Sequence, residues 1–348
     1  MTSSHRQLLA IDVGAGTQDI LVYDADKPLE NCYQLVLPSQ TSIVAKHIRK
    51  ATEARMDIFL HGWLMGGGPC VSAMKKHIWA GLRVFATPEA AKTVRDNLDE
   101  VRALGIEIVD EAPAHALPIQ TGDVDVAAIR QALALFEVDM PALFAIAVQD
   151  HGETLTESQR RFRFRHWEQF IDTGGHLDAL AYREVPPHLT RMRAVQQQAP
   201  GALLMDTGAA AILGALQDPF AAAHQADGIV VVNVGNQHTI AFLVRGETVY
   251  GIFEHHTVIL NSERLRDFIA RFRVAALSNE EVFADNGHGC YVRGDYPRHH
   301  PFAHTVVTGP NRHMAAGLGW HTAAPHGDMM MTGPFGLVAA ARRLGLVE

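Results

Sequence analysis

Two stretches far apart in the chain carry one pattern, and that repetition limits what the chain can fold into more than any other feature. Residues 8–24 read LLAIDVGAGTQDILVYD and residues 229–244 read IVVVNVGNQHTIAFLV. Each is a β-branched apolar run, a short turn of Gly and polar residues with a Thr at its far end, and a second apolar run, which predicts a tight β-hairpin. In Asp12-Val13-Gly14-Ala15-Gly16-Thr17 the missing Cβ atoms let backbone N–H groups close around a phosphate. Thr17 adds a hydroxyl, and Asp12 a carboxylate able to hold the water shell of Mg²⁺. Gly235-Asn236-Gln237-His238-Thr239 repeats the geometry with bulkier polar donors. Two phosphate-type hairpins predict a duplicated α/β fold that grips one nucleotide between two lobes.

The rest of the composition is compatible with that picture. A chain of 348 residues exceeds the size at which single cores stop growing, roughly 250–300 residues, so two lobes are expected. A net charge of −8 argues against nucleic acid as a partner, which normally needs a basic face. No apolar run reaches the roughly 20 residues of a membrane span, and the first seven residues lack the apolar core of a signal peptide. Cys32, Cys70 and Cys290 are too scattered for a disulfide framework, and the expected location is the cytoplasm.

Between the hairpins the pattern alternates. A third strand over 31–37, a helix over 42–55, a strand over 57–61, a helix over 74–79, a strand over 83–86, a long helix over 88–104, a strand over 106–109, a helix over 123–136 and a strand over 143–148 continue an α/β order. Residues 62–69, GWLMGGGP, read either as a cleft-lining loop or as a tight strand-to-helix turn. The cluster RRFRFR at 160–165 reads either as an anion-binding face or as a half-buried segment with Arg stems on apolar surface. Pro186-Pro187 and the Gln run at 196–198 mark a linker. After the second hairpin come a strand over 248–253, helices over 262–273 and 279–284, a glycine-rich loop over 285–296, a strand over 304–308 and a last helical segment within 327–346.

The paired hairpins resemble phosphate-1 and phosphate-2 of the superfamily that holds actin, the heat-shock chaperone ATPases and the sugar kinases. Residues 206–216, DTGAAAILGAL, resemble its small-residue connecting helix, and Thr308-Gly309-Pro310-Asn311 its adenosine-contacting turn. The resemblance implies a two-lobed actin-like ATPase fold built from two ribonuclease H-like units, with lobes at 1–215 and 216–348 and the last helix either returning to the first lobe or belonging to the second. It also carries more strands in the first half than a minimal lobe needs, which implies an insertion. It implies ATP and Mg²⁺ as cofactors. Asp12 would stand near the metal, Gly14, Ala15, Gly16, Thr17 and Gln18 on the phosphates, and Gly235, Asn236, Gln237, His238 and Thr239 opposite them. Gly309, Pro310 and Asn311 would stand near ribose or base. One departure matters: the carboxylate that commonly opens phosphate-2 is here Asn233, an amide that cannot act as a base. Slow or conditional ATP hydrolysis, coupled through lobe closure to a protein partner, fits that better than an ordinary kinase.

Histidine is a second theme. There are 20, many in loops: His151 after Asp150, then His255-His256, His288 two residues before Cys290, and His299, His300 and His304. His288 and Cys290 have types suited to Zn or Fe, while Asp150 and His151 are acid–base candidates by type and strand-end caps by position. Two alternatives to the ATPase therefore stand: a small-molecule kinase or other enzyme with the His-rich loops in its site, and a metal-binding module on the same fold. The chain also resembles an uncharacterised family labelled as related to the pyruvate formate-lyase activating enzyme. That label requires three cysteines clustered as C-x₃-C-x₂-C around an iron–sulfur cluster, which Cys32, Cys70 and Cys290 cannot supply from one loop.

Overall fold

The computed structural model describes residues 5–348; residues 1–4, the start of the polar leader, lie outside the described residues. The chain opens with β1 (Gln7–Val13), β2 (Thr17–Asp24), β3 (Tyr33–Pro38) and α1 (Gln40–Glu53). An inserted unit follows: β4 (Ile58–Gly62), α2 (Gly68–Trp79), β5 (Val84–Ala86), α3 (Pro88–Ala91), α4 (Leu98–Ala103), β6 (Ile106–Ile108), β7 (Leu117–Thr121) and α5 (Val126–Ala134). β8 (Phe144–Val148), α6 (Gln159–Asp172), β9 (Ala181–Tyr182), α7 (Thr190–Gln198) and β10 (Leu203–Met205) complete the first half. The second half runs α8 (Thr207–Ala215), α9 (Pro219–His224), β11 (Ile229–Val234), β12 (His238–Arg245), β13 (Thr248–His256), α10 (Ser262–Arg273), α11 (Asn279–Ala284), β14 (Gly289–Val292), β15 (His304–Thr308), β16 (His321–Thr322) and α12 (Thr332–Arg343).

The strand order is repeated. One sheet runs β3-β2-β1-β8-β10-β9 and another β14-β13-β12-β11-β15-β16. In each, a three-stranded antiparallel meander is extended by two parallel strands, β8 and β10 beside β1 and β15 and β16 beside β11. With the strands of the third sheet and the edge strands β9 and β14 left out, the strands of each half numbered in chain order run 3-2-1-4-5, the order of a ribonuclease H-like sheet. The fold is therefore the two-lobed, actin-like α/β arrangement. The third sheet, β6-β5-β4-β7, is wholly parallel and belongs to the insertion.

The unbroken β-branched runs are explained by cover on both faces of the central strands. Leu8 and Ala10 of β1 face one core with Ile229 and Val231 of β11, whereas Leu9, Ile11 and Val13 face another beneath α5 and α7. A strand buried on both sides has no polar alternation to show. The core shared by β1 and β11 is filled by α8 and α12, which cross at glycines. A Cβ on Gly214 would lie 2.8 Å from the carbonyl carbon of Thr332 and nearer its oxygen; one on Gly336 would meet the Ala210 carbonyl in the same way. The Ala-Gly composition of 207–215 is what this approach needs, and α12 packs along α8 and against β1.

Several elements differ from the sequence reading. The long helix over 88–104 is two short ones, because Asn97 leaves the helical conformation and caps α4 through the Asp99 N–H. The linker at 186–198 is largely α7, and the glycine-rich loop contains β14 along β13. The helix over 74–79 starts six residues earlier, at Gly68. β7 and β9 escaped the pattern, β7 because its exposed Pro118 and Gln120 dilute an already short run. Gln40–Glu53, Ser262–Arg273 and Asn279–Ala284 lie where their periodicity and caps put them, within about two residues.

Candidate functional site

The two turns are closed alike. Gly14 N–H donates to the Thr17 carbonyl and Gly235 N–H to the His238 carbonyl, each at 2.9 Å. Hydroxyls of Ser39 and Ser42 hold the first turn from behind through the Ala15 carbonyl, at 3.0 and 3.2 Å. The Asn311 side chain holds the second by donating to the Gly235 carbonyl at 3.0 Å. Both turns open on one cavity of about 500 Å³ between the lobes, lined on one side by Asp12, Gly14, Ala15 and Thr17 and on the other by Asn233, Gly235, Asn236, Gln237 and His238. Gly309 and Pro310 line its floor. Gly309 has φ +98°, and a Cβ there would come within 2.5 Å of the Asn233 side-chain oxygen, so only glycine lets this turn pass the second hairpin.

Not every residue singled out in the sequence reaches that space. Gln18 turns away, donating its amide to the Pro38 carbonyl at 3.0 Å, and Thr239 is buried against the Thr257 hydroxyl at 3.0 Å. Gly16 and Asn311 lie behind the lining. Asp150 is at the wall, and its two oxygens accept the N–H groups of Gly152 and Met192 at 2.8 and 2.9 Å, so it caps its own loop and the first turn of α7. Its neighbour His151 does face the cavity. Of the proposed metal pair, His288 and Cys290 part company. The Cys290 thiol is sunk among Phe253, Val282 and Phe268, burial pushes its pKa far up, and it is not in the histidine cluster described below.

The tertiary structure adds residues the sequence did not point to. Asp19 stands directly across the first hairpin from Asp12, and both line the cavity. Burial pushes the Asp12 carboxyl up to about 7, against the pull of the Thr207 hydroxyl that donates to it at 2.6 Å, and pushes Asp19 up to about 6 against a hydrogen bond from Thr17. One Asp19 oxygen is buried with no partner among the described residues. Knowing the turn, the pairing register would have revealed this pair, since opposite residues on one strand pair are fixed by the turn length. The insertion supplies the roof: Gly66, Gly67 and Gly68 line the cavity together with Lys92 and Arg95, so residues 62–69 form the cleft loop and α2 begins directly behind it.

The basic cluster resolves into a helix with one buried member. Arg163, 4 % exposed, reaches from α6 to Asp206, the N-cap of α8, at 2.7 Å and to Glu254 of β13 at 2.9 Å. Its Nη1 also donates to the Asp150 carbonyl at 2.8 Å. Glu254 further accepts from Trp167 Nε1 at 3.1 Å and from His238 Nδ1 at 2.9 Å. Burial opposes ionisation of Glu254, but the Arg163 guanidinium together with His288 and His238 outweighs it, and the carboxyl is held well below its usual range. This network ties α6 of the first lobe, α8 and the second glycine turn together. Beside it His151, His238 and His288 converge, with one ring nitrogen of each within 4.8 Å of the others. Burial and the nearby Arg163 charge push His151 well down, and burial takes His288 to about 2.

Residues 65–314 match the family described as "Putative pyruvate format-lyase activating enzyme (DUF1786)". No curated protein matches. Among solved structures, a Bacteroides thetaiotaomicron protein with actin-like ATPase fold and unknown function is 8% identical over 95% of this chain and 96% of its own, with a TM-score of 0.37. A ROK hexokinase from Thermus thermophilus is 12% identical over 97% and 99%, with a TM-score of 0.33. The PilM-PilN type IV pilus biogenesis complex contains a chain 10% identical over 98% and 99%, with a TM-score of 0.37. The activity in the family's description is not supported by the thiols here: Cys32, Cys70 and Cys290 are free, buried and lie in three different hydrophobic cores, so they cannot hold one iron–sulfur cluster.

Proposed function

The chain belongs to this family, and we propose that it is an ATP-binding protein of the actin-like fold that hydrolyses ATP slowly or conditionally and acts by lobe closure on a protein partner. The lobes would divide after residue 215, at the end of α8, with α12 crossing back. The observation that carries this reading is the facing of two glycine turns, closed by the same hydrogen bond, across one cavity. Backbone N–H groups at such turns attract anions. Lys92, paired with Glu153 at 3.0 Å, and Arg95 reach the same space beside Asp96. Asp12 and Asp19 fit a magnesium ion: two facing carboxylates are held toward neutrality by burial, and one oxygen is buried without a partner, a state that a hydrated divalent cation relieves. Bound there, Mg²⁺ would neutralise phosphate charge.

Closure has a physical basis in the crossing of α8 and α12, where glycines leave two backbones in contact with no side chain between them. Asn233 sits where a carboxylate would be needed to take a proton from an attacking group, which is why turnover is expected to be slow. The test is unfolding temperature against Mg²⁺·ATP, with phosphate release measured alongside. At 100 times Kd, binding adds about 2.7 kcal/mol of stability. Asn233→Asp is expected to raise the rate of phosphate release by at least tenfold. No thermal shift at millimolar Mg²⁺·ATP would overturn the proposal.

A further inference from the structure

We propose that His151, His238 and His288 form a binding site for one divalent transition-metal ion of the zinc class, open to the interlobe cavity. The three imidazoles come from separate places: His151 follows β8 in the first lobe, His238 opens β12 at the second phosphate turn, and His288 precedes β14. Their donor nitrogens lie within 4.8 Å of one another, and Nε2 of His151 and of His288 are 3.3 Å apart. Two nitrogens bound at ~2.0–2.1 Å to a tetrahedral ion are about 3.4 Å apart. That edge is already present.

Hydrogen bonding selects the atoms. His238 uses Nδ1 on the Glu254 carboxylate at 2.9 Å, which leaves Nε2 as its free nitrogen. A carboxylate that orients a ligating imidazole in this way is a recurrent feature of zinc sites. Glu254 is itself fixed by Arg163 and Trp167, so the ring of His238 is held by a buried network rather than by rotamer preference alone. His288 is 1 % exposed, its Nε2 faces that of His151, and its Nδ1 is buried with no partner among the described residues. Around the cluster, Asp206 and Glu254 against Arg163 leave one net negative charge, which suits a cation. His151 and His238 both line the cavity, so the fourth coordination position would face it, as in zinc sites that act as Lewis acids. The ion would thus sit beside the second phosphate turn, and its binding does not depend on nucleotide.

The experiment uses full-length protein without a histidine tag, stripped with a chelator and titrated with Co²⁺ and Zn²⁺ in the absence of nucleotide. One equivalent of Co²⁺ should bind and give the intense visible band of a four- or five-coordinate site, displaced by one equivalent of Zn²⁺. His151→Ala and His288→Ala, each checked for native circular dichroism, should weaken Co²⁺ binding by at least tenfold. Absence of the band in the wild-type protein, or an unchanged titration in folded variants, would overturn the proposal. Because the readout is spectroscopic and nucleotide-free, it fails or succeeds independently of ATP binding.

Discussion

Replacing Arg163 by Met keeps the length of the stem but removes the guanidinium that lies between Asp206 and Glu254, whose side chains are 7% and 1% exposed. Removing one partner of a buried ion pair costs about 3–5 kcal/mol, because the other charge is left without solvent or counter-ion. Here two carboxylates are stranded, so the loss should fall at the upper end, ~5 kcal/mol. The sign of the pH dependence follows from Glu254. In the wild-type protein its folded pKa is depressed, so the stability it contributes is in place above the usual carboxylate range, about 4.3, and is lost as pH falls through the depressed value. Without the guanidinium the largest pull against burial is gone and the Glu254 pKa rises, so relative to wild type the variant loses stability as pH rises through and beyond that range. The gap between wild type and Arg163→Met, read as the shift in urea midpoint multiplied by the m-value, should therefore widen from pH 5 to pH 8. Arg163→Met combined with Glu254→Met should recover part of the loss, since an apolar pair of similar volume needs no counter-charge. A loss under ~1 kcal/mol, or a gap that is constant with pH, would refute the assignment of Arg163 as the buried counter-ion of Asp206 and Glu254.

Gly336→Ala should destabilise by at least ~2 kcal/mol in urea denaturation, because its Cβ meets the Ala210 backbone and neither helix can move without unpacking the shared core. Gly16→Ala, whose Cβ has nothing within 4 Å, is the matched control and should change stability by less than ~0.5 kcal/mol. The Asp12 carboxyl is raised from 3.8 to about 7, so its protonated form favours folding: the contribution is full below the unfolded pKa and is lost as pH climbs toward 7, by up to about 4 kcal/mol. Asp12→Asn should accordingly flatten the decline in nucleotide-free stability between pH 4 and pH 7 and abolish the thermal shift with Mg²⁺·ATP; thermal melts across that range decide both.

Local signals wrote the hairpins, the connecting helix and the amphipathic helices into the sequence. A β-branched run either side of a glycine turn, an Ala-Gly run capped by Asp206, and the apolar stripe of Leu265, Phe268, Ile269 and Phe272 each depend on residues within a few positions of one another. The order of these pieces was enough to foresee the duplicated fold. What the chain alone could not show is convergence between distant segments. Asp19 becomes a partner of Asp12 only through strand register, and Arg163 becomes the counter-ion of Asp206 and Glu254 only once α6, α8 and β13 meet. His288 leaves its sequence neighbour Cys290 for His151 and His238 because β14 pairs with β13, which puts His288 next to Glu254 while the cysteine enters the core. The energies that decide such placements are desolvation and charge pairing, which depend on what surrounds a group in space. Sequence spacing reports neighbours along the chain, and only the packed lobes determine which polar groups share a dry interior.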